Sequence, residues 1–299
     1  MSYLFVLAAV LSVGLTGPLF FLLRFLKARQ VEREEGPITH KGKAGTPTMG
    51  GIGFVLAIII LALIFVDLRY VPVILLTAGF ALIGLADDLI KIIRKQNLGL
   101  TFWQKIFLQT FLAALFSFYI LNFNICSLFG IWSLLFAIFL VVGSANATNL
   151  TDGLDGLLAG CATLAFLGFG IISMRQMALG GAAFSFICAG AVFAFLRFNF
   201  PKAKLFMGDV GSLSIGAALA GLAVLTGREW QLALIGGVFV IEALSVIIQV
   251  TSFKLFRKRV FKMSPLHHHF ELLGFSENAV VLGFWAFQLI LSVVGAILG

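Results

Sequence analysis

The sequence predicts an all-α, polytopic integral membrane protein, a single catalytic unit over residues 1–299 with about ten transmembrane helices. Three observations carry that expectation. The chain is 61% hydrophobic and only 11% charged, with a mean hydropathy of +1.09, whereas a soluble domain carries roughly 25% charged residues. Ten apolar segments approach or exceed the ~20 residues that a helix needs to cross the hydrocarbon layer. Finally, nearly all the charge falls at one set of segment ends, which include five of the six aspartates.

In chain order the segments lie near residues 3–26, 49–67, 70–90, 103–122, 131–148, 154–173, 178–197, 212–227, 231–255 and 278–298. Little is left for a separate soluble domain. The first segment has no basic stretch before it and is followed by Arg24, Lys27 and Arg29. It therefore reads as a retained helix with its N-terminus outside rather than a signal peptide. Ten spans from that start put Arg24 to Lys43, Lys91 to Lys105, Arg197 to Lys204 and Lys254 to Lys262 inside. These are eighteen of the 21 Lys and Arg, against Arg69, Arg175 and Arg228 outside. The excess predicts cytoplasmic polar loops and both termini outside. The net charge of +8 is thus mainly a topology signal, suited to anionic headgroups or a phosphorylated substrate, with no reason to invoke nucleic acid. Cys126, Cys161 and Cys188 lie in or beside apolar segments and read as buried small hydrophobes rather than disulfides or metal ligands.

Acids at membrane depth are costly, so they are functional candidates by default. The loop 36–51, GPITHKGKAGTPTMGG, offers Lys41, Lys43, Thr46 and Thr48, with glycines that permit close approach. Its plain alternative is a flexible basic loop. The third segment ends in GLADDLIKIIRK, where Asp87 and Asp88 oppose the helix dipole. A local pair with Lys91 would offset that by only a few tenths of a kcal/mol, so a functional acid pair is the better reading. Beyond the fifth segment, Asn149, Asp152 and Asp155 recur at three-residue spacing, which on one helix would place them within an arc of about 120°. Capping the sixth helix explains one acid but not all three residues. The stretch lacks the spacing and terminal Glu of a calcium loop, and hydrogen bonding to a sugar or base fits better.

In the loop 197–212, Asp209 stands between glycines just ahead of an apolar helix, as suits a magnesium ion shared with phosphate oxygens. Phe206 could stack on a planar ring, although packing serves equally well among 33 phenylalanines. The loop PLHHHFE carries His267, His268 and His269. It lacks zinc spacing and suits phosphate binding or plain solvation. In the ninth segment, Glu242 reads as an interhelical hydrogen-bonding group, and Gln249, on the same face, as able to reach a substrate.

Five motifs then occur in fixed order: HKGKAGTPTMGG, ADDLIK, NATNLTDGLDGL, FMGDVGS and PLHHHFE. Over essentially its whole length the chain resembles the phospho-N-acetylmuramoyl-pentapeptide transferases, a branch of the polyprenyl-phosphate N-acetylhexosamine-1-phosphate transferases. The resemblance implies a Mg²⁺-dependent reaction of UDP-MurNAc-pentapeptide with undecaprenyl phosphate, giving lipid I and UMP at the cytoplasmic face of the bacterial inner membrane. It places Asp87, Asp88 and Asp209 on the essential acids, with Asp209 the metal ligand. Asn149, Asp152 and Asp155 would line the nucleotide-sugar site, with Lys41, Asn199 and Phe206 near the uridine. Thr46, Lys91, Lys105, Ser212, Gln249 and His267 to His269 match other polar positions of the cleft, and a homodimer is implied. Two rivals stand beside this. Another UDP-sugar could be the donor, or the membrane acids could serve a cation-coupled transporter, whose sites usually lie near the midplane between repeated halves.

Overall fold

The computed structural model describes residues 1–26, 28, 45–96, 98–122 and 131–299. Cys126 and the loop residues Lys41 and Lys43 lie outside the described residues. The described chain is all-α. Its helices are α1 (Ser2–Phe25), α2 (Gly51–Phe65), α3 (Val71–Arg94), α4 (Phe102–Asn122), α5 (Ile131–Thr151), α6 (Leu157–Arg175), α7 (Leu179–Asn199), α8 (Gly208–Thr226), α9 (Glu229–Ile235), α10 (Gly237–Phe256), α11 (Leu266–Leu272) and α12 (Glu277–Leu298).

Among the described residues, eight segments are long and apolar enough to cross a bilayer: α1, α3 with its leading 3-10 turn, α5, α6, α7, α8, α10 and α12. Of the other two segments expected to cross, α2 is apolar but has 15 residues, about 22 Å at 1.5 Å per residue. Helix α4 has 21 residues and carries Gln104, Lys105 and Gln109 in its first half.

Helix α8 is the axis of the molecule. Of its most apolar window, 89% is buried, against 22% for α1 and α10, so protein surrounds α8 while the other two turn broad apolar faces outward, towards lipid. A helix apolar on all sides is expected to be buried or lipid-facing, and this fold uses both options. Helix α3 lies closest along α8, with α5 and α2 beside it, and α6, α7, α1 and α12 form the neighbouring layer. Close approach of α3 to α8 depends on Gly84, where a Cβ would fall on the Asp209 carbonyl. Pro72 sits in the first turn of α3, where its missing N–H costs nothing.

The two ends of the bundle differ. The C-terminus of α3, the N-terminus of α8, the C-terminus of α5 and the segment around α11 share the end that carries the aspartates. Both chain termini lie at the other end: Tyr3 meets Phe65 edge-on, and Gln176 donates to the Gly299 carbonyl at 3.0 Å.

Local structure departs from the sequence expectations in four places. The ninth segment is broken between α9 and α10 at Gly236, and the amide of Gln288 on α12 donates to the Ile235 carbonyl freed there. Helix α8 starts at Gly208, not near 212, so Asp209 is inside its first turn. The PLHHHFE stretch is not a loop: Leu266–Leu272 is a short helix. Lastly, Asn149, Asp152 and Asp155 share no helical arc. Asn149 lies in the last turn of α5, residues 152–156 turn, and Gly156 at φ +78° is the N-cap of α6.

Candidate active site

Three carboxylates from two helices meet at the aspartate end. Asp87 and Asp88 lie in the last two turns of α3 and are buried at 3% and 4% exposure, while Asp209 comes from the first turn of α8. Each of the three offers an oxygen within 4.8 Å of the others. Such crowding of like charges is unfavourable without cations, and two lysines supply them. Lys91 Nζ lies 2.5 Å from Asp87 Oδ2, 3.9 Å from Asp88 Oδ1 and 3.1 Å from Asp209 Oδ2. Lys105, reaching in from α4, lies 2.6 Å from the same Asp209 oxygen. The local Lys91 pairs expected from helix spacing are therefore present, but Lys91 also bridges to α8.

The remaining oxygens are held by specific donors. Leu100 N–H donates to Asp87 Oδ1 at 2.8 Å, drawing the 98–100 turn over the acid. Val210 N–H donates to Asp88 Oδ2 at 3.2 Å, an interaction favoured at a helix N-terminus. Asn149 donates to Asp209 Oδ1 and to Ser212 Oγ, both at 2.8 Å. Thr148 Oγ1 donates to the Ser212 carbonyl at 2.8 Å and so fixes α5 against α8. Asp87, Asp88, Lys91, Lys105, Asn149, Asp209 and Ser212 thus form one connected network. An all-oxygen donor set of three carboxylates is what a hard divalent cation requires, and Asp87, Asp88 and Asp209 could hold one.

Around this network the 152–156 turn adds more acid. Burial and the neighbouring charges of Asp209, Asp88 and Asp155 push Asp152 up to about 8. Asp155 accepts from Ala203 N–H at 2.8 Å, and its own N–H donates to Glu277 at 2.9 Å. Asn199 accepts from Gly156 N–H at 2.9 Å and donates to the Leu205 carbonyl at 3.1 Å. These two residues tie the 200–206 loop to the start of α6. Phe206 is half-buried, its backbone paired with Pro47 and Gly50, and Thr46 stands half-buried on the same stretch.

Gln249 is engaged by its own neighbourhood. Its Oε1 accepts from Val260 and Phe261 at 3.0 and 2.9 Å, and its Nε2 donates to the Phe261 carbonyl at 2.9 Å, closing the loop after α10. The histidines divide. His267 is fully buried and pairs with Glu242; His268 Nδ1 lies 2.8 Å from Glu271; His269 Nδ1 accepts from Lys262 N–H at 3.1 Å. Glu242 accordingly makes the interhelical hydrogen bond its position suggested. Cys161 and Cys188 are buried free thiols, as expected.

Sequence reasoning missed Glu277, which carries no motif signal beyond being polar near a helix end, and passed over Glu271 although it closes the PLHHHFE motif. It also missed Gly99 and Gly208, whose missing side chains let backbone lie against Asp87 and Asp88.

Known proteins resemble this chain over nearly its whole length. A model of glycosyl transferase family 4 matches residues 70–227, a stretch that holds the whole carboxylate–lysine network. The phospho-N-acetylmuramoyl-pentapeptide-transferase of Geobacillus sp. (strain WCH70) is 48% identical over 97% of this chain and 96% of its own length. Those of Bacillus subtilis (strain 168) and Anoxybacillus flavithermus are 46% and 45% identical, over 96% and 97% of this chain and 94% of each relative. Identity at that level over nearly the whole chain, with the family match, means that this chain belongs to the phospho-N-acetylmuramoyl-pentapeptide-transferases of glycosyl transferase family 4.

Proposed function

We propose that this protein transfers phospho-MurNAc-pentapeptide from UDP-MurNAc-pentapeptide to undecaprenyl phosphate, giving lipid I and UMP in peptidoglycan synthesis. The observation that carries the reading is the network of Asp87, Asp88, Asp209, Lys91 and Lys105 at one end of an apolar helix bundle, in a chain of this family. Groups placed there reach both a lipid headgroup and a water-soluble nucleotide.

In the reaction an oxygen of the lipid phosphate attacks the β-phosphorus of the donor. The bond from that phosphorus to the bridging oxygen breaks, and UMP leaves with the electron pair. Positioning and charge neutralisation dominate such transfers. Lys91 and Lys105 supply fixed positive charge, Asn149 and Ser212 hold Asp209 in place, and Asp87 is the base on the lipid phosphate if one is needed. That phosphate is already largely ionised near neutrality. Asp209, with Asp87 and Asp88 beside it, would hold Mg²⁺, which when bound neutralises charge on the diphosphate. We favour direct attack over a covalent phosphosugar intermediate; UMP release without lipid would reverse that choice.

The remaining features extend the same reading. Ten crossing helices, with α2 and α4 among them, put both termini outside and the acids at the cytoplasmic face of the bacterial inner membrane. The excess of Lys and Arg at the aspartate end supports that orientation. An apolar cavity of about 450 Å³, lined by Val238, Leu266, Phe270 and Phe284 among others, lies between α10, α11 and α12 and suits part of a prenyl chain. A homodimer follows from the family resemblance alone.

The deciding experiment measures UMP release from UDP-MurNAc-pentapeptide by purified protein, with and without undecaprenyl phosphate and Mg²⁺, beside Asp209→Ala. Release that needs both lipid and metal and disappears in the variant is the expected result. Turnover of UDP-GlcNAc instead would assign another sugar donor, and ion uptake into vesicles without UMP would replace the transferase by a transporter.

A further inference from the structure

Glu242 is an acid in the apolar interior of a membrane protein, far in sequence from every motif. It lies on α10, fully buried. Its two carboxylate oxygens have separate tasks. Oε1 accepts from the backbone N–H of His267 at 3.1 Å, and Oε2 lies 3.0 Å from His267 Nδ1. His267 opens α11 and is itself fully buried. A carboxylate that already accepts from an N–H has no proton to give when ionised, so the imidazole must carry its proton on Nδ1.

The other ring nitrogen then faces one place. His267 Nε2 is buried with no hydrogen-bond partner, and a Cβ on Gly153 would collide with it. Gly153 follows Asp152 in the turn that joins α5 to α6. A side chain there would displace the ring, so the glycine and the imidazole are fitted to each other. A buried polar atom without a partner is costly, and here it is aimed at the turn that carries the acids of the nucleotide-sugar site.

We infer that Glu242 is a positioning residue for that site: it keeps the His267 proton on Nδ1 and so presents an acceptor Nε2 to the Asp152–Gly153 turn. The inference rests on the transferase reading for its kinetic consequence but not for its chemistry. The substitution Glu242→Gln separates the two tasks. The glutamine oxygen still accepts from His267 N–H, but its amide must donate to Nδ1. The proton of the neutral ring then moves to Nε2, and a donor replaces the acceptor at the turn. Glu242→Ala would merely remove the partner of a buried histidine and disturb the fold.

The test combines spectroscopy with kinetics on the intact protein in detergent. With ¹⁵N-labelled histidine, and His267 assigned by loss of its signals in His267→Gln, wild type should show Nδ1–H and Glu242→Gln should show Nε2–H. The same variant should raise KM for UDP-MurNAc-pentapeptide about tenfold, with kcat changed less, as for a buried donor set where the turn is fitted to an acceptor. Gly153→Ala, which pushes the ring away from the other side, should raise KM similarly. The double variant should be no worse than either single one. Identical histidine shifts in wild type and Glu242→Gln would overturn the inference, as would additive effects of the two substitutions. Should Glu242→Gln not fold, an unchanged KM in Gly153→Ala would overturn it as well. Absence of transferase activity in wild type would defeat the functional reading alone, because the histidine shifts are read without turnover.

Discussion

Lys105 Nζ and Lys91 Nζ lie 2.6 and 3.1 Å from one and the same oxygen of Asp209. One carboxylate oxygen therefore collects charge from α4 and α3 while its partner oxygen is held by Asn149 from α5. Asp209 is the point at which four helices are cross-linked, and its geometry depends on all of them.

Replacing Lys105 by alanine leaves the three carboxylates with Lys91 as their nearest fixed cation. We expect kcat/KM to fall about 10- to 100-fold, in line with the ~1.5–3 kcal/mol of a hydrogen bond to a charged group. The more negative site should also reach half-maximal activity at a lower Mg²⁺ concentration. A magnesium titration of wild type and Lys105→Ala reads both effects. A half-maximal Mg²⁺ concentration that stays the same or rises would mean that Lys105 does not compete with the metal for Asp209.

Gly84→Ala tests whether α3 and α8 must touch. A methyl group there would meet the Asp209 carbonyl and the Val210 nitrogen, backbone atoms that cannot turn aside. Overpacking of this kind costs about 1–3 kcal/mol, and any relief separates Asp209 from Asp87 and Asp88. Activity should therefore fall together with the melting temperature. Gly143→Ala, on α5, is the control, since nothing lies within 4 Å of its added Cβ, and it should leave both unchanged.

These relationships explain which parts of the molecule were legible in the sequence. Apolar runs and the one-sided charge outlined the helices because lipid demands both. The cluster of Asp87, Asp88 and Asp209 was legible because ionised groups at membrane depth need a reason to be there. Helix ends were not, since hydropathy is blind to whether a glycine opens a helix (Gly208) or caps one (Gly156). The break at Gly236 depends on Gln288, some fifty residues away, to take up the freed carbonyl. Whether a polar side chain serves the substrate or a neighbouring loop is likewise tertiary information. Asn149 and Gln249 look alike in sequence, yet one holds Asp209 and the other closes residues 260–261.

That contrast gives a third prediction. Asn149→Ala removes a direct partner of Asp209 and leaves no loop unsupported, so kcat should fall at least tenfold while thermal stability changes little. Gln249→Ala frees two backbone N–H groups and one carbonyl of the loop after α10. It should raise KM and increase protease sensitivity within residues 257–265 more than it lowers kcat. Equal losses of kcat in the two variants would place Gln249 among the groups that touch the reacting phosphates.

Asp152 gives a fourth prediction, for pH dependence. Burial and the charges of Asp209, Asp88 and Asp155 raise its carboxyl to about 8, from the ordinary value near 4. Since the folded-state value is raised, ionisation favours the unfolded chain: this residue's contribution to stability declines from about pH 4 to pH 8 and is level above that. The same sign governs binding. Below pH 8 the residue is a neutral donor beside an anionic diphosphate, and above it a repelling carboxylate. KM for UDP-MurNAc-pentapeptide should therefore rise between pH 7 and 9 in wild type. Asp152→Asn, neutral throughout, should flatten that limb while leaving the acidic limb in place. Superimposable profiles for the two proteins would assign the alkaline limb to another group and remove Asp152 from the anion's surroundings.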